Sequence, residues 1–173
     1  MKLLGIPELV GTAKSCDKKL TYNGVITVDK LPRFLAQQSA EAESSSVVEA
    51  KFVFERDQQN LKVARVSYCA LVMLTCQRCL GSMEYRIEGE VTFAFSSTLA
   101  DLEQIPKAYE PVLIESGTVN LWQALEDELL LSLPAFANHA DEHCNISLDK
   151  LKSDQPERVT ENPFATLGEL LKK

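Results

Sequence analysis

Cys76-Gln77-Arg78-Cys79 places two soft ligands three residues apart, between apolar segments rich in strand formers. On a turn, this spacing lets two thiolates aim at one point, which suits a tetrahedral zinc ion or a redox dithiol. The redox chemistry needs the first sulfur at a helix N-terminus, where the dipole lowers its pKa. Strand-like flanks argue against that arrangement. Further potential ligands occur late in the chain, at His139, His143 and Cys144. Folding that carries them to the turn yields a Cys3His set of Cys76, Cys79, Cys144 and one histidine. His139 suits the fourth position better than His143, because neighbours such as His143 and Cys144 rarely point at one metal. The other outcome is reduced thiols that serve local packing. Arg78, between the cysteines, is a planar donor matched to phosphate or carboxylate. It either forms a small positive spot with Arg86 or pairs with a carboxylate such as Glu84.

No catalytic residue is expected. Glu126-Asp127-Glu128 could suggest paired carboxylates, but consecutive helical residues fan out, which predicts a solvated acidic face. The chain has no Ser/His/Asp order and no phosphate loop, and its seven glycines are scattered singly.

The elements that must position these residues follow from hydrophobic periodicity. Val47–Phe54, Leu61–Thr75 and Met83–Phe95 alternate and predict an antiparallel β-meander that can curl toward a barrel, with Cys76–Ser82 as its second turn. Ala70–Leu74 is apolar on both faces, which predicts burial on both sides, with Cys69 as a small buried hydrophobe. Gly89 falls on the apolar face and predicts a bulge or a close approach. Asn23-Gly24 predicts a tight hairpin turn. Asp29 is a cap for a helix over 30–39 with Leu31, Phe34 and Leu35 inward. Asn120 with Gln123 opens a second helix to residue 133, with Leu121, Leu125 and Leu129 on its buried stripe. Val112-Leu113-Ile114 is a short strand. The fold class is therefore α+β, an antiparallel meander sheet with packed helices.

The 173 residues are enough for one domain, over 1–146. Residues 147–161 are polar and Pro-interrupted, a mobile linker, and 162–173 form a C-terminal helix with Phe164 and Leu167 as anchors. That helix needs a surface, its own domain's or a partner's. No apolar run is long enough to cross a bilayer and the N-terminus is a poor secretory signal, so the cytoplasm is expected. Five cysteines, an odd number, argue against a disulfide framework. Eighteen basic residues face twenty-five acidic ones, for a net charge of −7. Phosphate binding draws on Lys and Arg, so direct RNA contact should be weak or local, and a basic protein partner fits this surface better.

Six stretches stand in an order and spacing that resembles the YceD family, the large ribosomal RNA subunit accumulation proteins. They are Lys19-Leu20-Thr21-Tyr22-Asn23-Gly24, the Cys76–Leu80 run, Tyr109-Glu110-Pro111, Glu126-Asp127-Glu128-Leu129 with Leu133-Pro134, His143-Cys144, and Asn162-Pro163-Phe164-Ala165-Thr166-Leu167. They span nearly the whole chain. The resemblance implies a non-enzymatic accessory factor in synthesis, processing or stability of large-subunit (23S) ribosomal RNA, that is, in ribosome biogenesis. The acid balance points to a protein–protein adaptor with a ribosomal-protein or ribonuclease partner. Many family members carry additional cysteines in the region of Cys144, where this chain has one cysteine and two histidines. That departure weighs against a resident metal, so no cofactor is expected, with zinc as the alternative. A zinc-binding regulatory module unrelated to ribosomes and a small hydrolase or nuclease are the competing readings.

Overall fold

Strict apolar–polar alternation over the centre of the chain makes three long strands, and the rest of the molecule is arranged around them. The computed structural model describes residues 5–40, 46–98, 101, 104–140 and 144. In chain order the elements are β1 (Leu9–Gly11), α1 (Thr12–Asp17), β2 (Thr21–Thr27), a 3-10 turn (Val28–Lys30), α2 (Pro32–Leu35), β3 (Val47–Arg56), β4 (Lys62–Thr75), β5 (Ser82–Ser96), β6 (Glu110–Leu113), β7 (Thr118–Asn120) and α3 (Leu121–Leu131). Two compact units divide the chain, Met1–Asn138 and His139–Lys173, and all these elements belong to the first.

The fold is α+β, as expected. Its main sheet has the order β2-β3-β4-β5-β6, and β1 pairs with β7 in a separate two-stranded sheet. The first four strands of the main sheet form an antiparallel ladder. β3, β4 and β5 are the expected antiparallel meander, and β6 joins it parallel to β5. A hairpin turn cannot make that connection; the chain crosses over through the loop preceding Glu110. The sheet is open, not a closed barrel.

The core lies on one sheet face. Phe52 and Phe54 of β3, Val66 and Val72 of β4, and Phe34 of α2 are buried there together with Leu121, Leu125 and Leu129 of α3. The other face is solvated. This corrects the expectation of two-sided burial: Leu71 is 51% exposed and Cys69 half-buried. Parity explains both, since Tyr68, Ala70 and Val72 point to the core and the odd positions between them must point away.

Three other readings change. Asn23-Gly24 is not a turn, because β2 continues straight through it and pairs with β3 from Thr21 to Thr27. Seven cross-strand pairs outweigh the local turn preference. Gly24 lies against the N-terminal segment, where a Cβ would meet Gly5 Cα at 3.7 Å, an ordinary packing distance. The helix expected over 30–39 shrinks to Pro32–Leu35, and Asp29 does not cap it. Its cap comes from Glu126 on α3, whose Oε1 accepts from Arg33 N at 2.7 Å and Phe34 N at 3.1 Å. Glu126 also accepts from Arg33 Nε at 2.9 Å and is only 5% exposed, which corrects the solvated-face reading at that position. Spacing held the clue: residue 126 lies four after Trp122 and three before Leu129, on the flank of the buried stripe. α3 itself begins as expected, with Gln123 N donating to Asn120 Oδ1 at 3.0 Å.

Candidate metal centre

The turn joining β4 to β5 is built to present its cysteines. Thr75 and Ser82 form the last cross-strand pair of the ladder. Beyond them, Cys76 N donates to Gly81 O and Leu80 N donates to Cys76 O, both at 2.9 Å. Leu80 takes φ +60, the left-handed conformation that reverses the chain. A Cβ on Gly81 would meet Cys79 Sγ at 3.4 Å, so the Cys79 sulfur folds back over Gly81. Cys76 is buried and Cys79 half-buried, while Arg78 between them is exposed. The redox geometry is missing here, because a turn between two strands provides no helix dipole.

The chain leaving α3 is strapped to this turn. Gln77 N donates to Ala137 O at 2.8 Å, and Cys76 Sγ lies 4.0 Å from Asn138 Oδ1. Ala137 is buried. His139 directly follows Asn138. In the second unit, His139 Nδ1 and Cys144 Sγ lie 3.4 Å apart, both half-buried.

Cys76 and Cys79 on the turn, with His139 and Cys144 of the second unit, are a set of residues that could hold a metal ion. This is the Cys3His set drawn from the sequence. Among the described residues, no other group of three or more His, Cys, Asp or Glu side chains forms a candidate set. His143 and the anchors Phe164 and Leu167 lie outside the described residues, as do 147–161 and 162–173. Cys16 is a different kind of thiol. It is buried beneath β4, its Sγ 3.6 Å from Val63 O, and burial pushes its pKa up. Such a thiol is inert packing.

Among the described residues no helix is long and apolar enough to cross a membrane. The structure thus defines a class: a small α+β protein whose open sheet carries a paired-cysteine turn, with a histidine and a third cysteine following in the second unit. The chain belongs to the YceD family. The model of that family, described as "Large ribosomal RNA subunit accumulation protein YceD", matches residues 65–171. The chain is also 31% identical over 177 residues to the protein of that name from Haemophilus influenzae, covering 100% of both chains. No solved structure matches it.

Proposed function

We propose that this protein is a non-enzymatic accessory factor for the accumulation of large-subunit ribosomal RNA. It acts as an adaptor toward a protein partner in the cytoplasm. Membership of the YceD family, whose description names that process, carries the reading. The net charge of −7 supports a basic protein partner over direct phosphate binding. Residues 1–146 act as one folded domain, with 147–161 as linker and the 162–173 helix, anchored by Phe164 and Leu167, as a partner contact. Arg78 offers a local contact to carboxylate or phosphate.

We further propose that Cys76, Cys79, His139 and Cys144 hold one zinc ion. Three thiolates and an imidazole complete a tetrahedral shell, leaving no open position for water or substrate, so the ion is structural. The donor set supports zinc over magnesium or calcium, which prefer oxygen.

Deletion of the gene should lower the ratio of mature large-subunit to small-subunit RNA. A normal ratio would refute the accessory role. A normal ratio together with one equivalent of bound metal would favour a zinc-binding regulatory module unrelated to ribosomes, which the same four residues support. The isolated protein should bind structured RNA poorly at physiological salt, and a tight, specific gel shift would replace the adaptor with an RNA-binding mechanism.

A further inference from the structure

Two of the sequence stretches noted above, Tyr109-Glu110-Pro111 and Glu126-Asp127-Glu128-Leu129, meet at one groove. It runs between β6 and α3 and has a volume of about 290 Å³. Gln123, Ala124, Asp127, Glu128 and Leu131 present one face of the helix to it. Leu113 and Leu131 stand 47% and 76% exposed at its sides, an apolar surface that nothing among the described residues covers.

Three observations say what it can accept. First, β6 is the last strand of the sheet, and among the described residues no strand pairs with its outer edge. Ile114 N donates inward to Ser96 O at 2.8 Å. Backbone groups alternate along a strand, so Leu113 N–H and the carbonyls of Pro111 and Leu113 face outward. Pro111 has no N–H to lose there, which is where edge strands tolerate proline. Second, the charged side chains lining the groove are Glu110, Asp127 and Glu128, with no lysine or arginine. Third, nothing there suggests catalysis. Asp127 is held by Arg33 Nη2 at 2.6 Å and Glu128 accepts from Tyr68 at 3.2 Å. No histidine, cysteine, serine or threonine lines the groove.

We propose that the groove is a docking site for an extended, Lys/Arg-rich segment of a partner protein, added as a strand beside β6. Backbone pairing supplies the alignment. Alternate cationic side chains of the segment point to α3, where their charges meet Glu110 and the acidic flank of the helix and their stems cover Leu131, while the apolar side chains between them face the opposite side of the sheet. This rests on the adaptor reading. The two can fail separately, because binding is measured on the purified chain and RNA accumulation in cells.

The test is fluorescence anisotropy with a labelled eight-residue peptide of alternating valine and lysine. Saturable binding is expected, weakened at least tenfold by Glu110→Lys and at least threefold by Leu131→Gln. Glu84→Lys, the same charge change on the solvated sheet face, should alter it less than twofold. Proline at the two central valines should weaken binding at least fivefold, because it removes donors for the β6 carbonyls. No saturable binding up to about 1 mM would overturn the proposal. So would equal weakening by Glu84→Lys, equal binding of a valine–glutamate peptide, or displacement by oligouridylate. Self-association that Glu110→Lys or Leu131→Gln abolishes, without peptide binding, would assign the groove to a second copy of the chain and overturn it too.

Discussion

The phenol of Tyr68 lies directly over its cross-strand partner Gly89, so close that a Cβ on residue 89 would sit 2.4 Å from the hydroxyl oxygen. The ring cannot swing aside freely. Its hydroxyl is 2.8 Å from Ser132 Oγ and donates to Glu128 Oε1 at 3.2 Å, which ties the sheet to α3. The glycine exists to let that ring pass.

Gly89→Ala should therefore destabilise the protein by about 1–3 kcal/mol, the usual range for overpacking. Urea denaturation would measure it. In a Tyr68→Ala background the same change should be close to neutral, since the obstructing atoms are gone. An equal loss in both backgrounds would show that the cost is not the ring's.

Glu126 is the second structural joint. Glu126→Ala removes acceptors from two backbone N–H groups at the start of α2 and leaves the Arg33 pair broken, and should cost about 2–3 kcal/mol. Arg33→Ala leaves both backbone bonds in place. Arg33 is half exposed, and its loss should cost under about 1 kcal/mol. Thermal denaturation of the two variants should rank them in that order; the reverse order would mean that the guanidinium, not the cap, carries the joint.

The metal proposal turns on which histidine serves. Purified protein should carry about one zinc, and cobalt in its place should show thiolate-to-metal charge transfer. His139→Ala and Cys79→Ser should release the ion, whereas His143→Ala should keep it. Removing zinc with a chelator should lower the melting temperature by roughly 5–10 °C. Retention of one equivalent in the Cys79→Ser/His139→Ala double variant would place the metal elsewhere.

The strands of the main ladder were readable because period-two alternation is a local property: Val48, Ala50, Phe52 and Phe54 share a face whatever else the chain does. α3 was readable for the same reason, from leucines every fourth residue and an Asn120 cap. The paired cysteines were readable as a turn because both flanks were. Tertiary structure decided what depends on partners distant in sequence. It overrode the turn preference of Asn23-Gly24 by pairing that segment with β3, and it ran β6 parallel to β5. It left Leu71 exposed and Cys69 half-buried because no layer among the described residues covers the second sheet face. It buried Glu126 because α2, more than ninety residues earlier, needed a cap. The short α1 and the β1–β7 pair went unseen in the sequence, since three to six residues carry too little periodicity to stand out from a loop. The sequence named Cys76, Cys79, His139 and Cys144 as a ligand set from residue type alone. Whether they converge was a matter for the fold, because spacing along the chain sets a ligand's reach but not its direction.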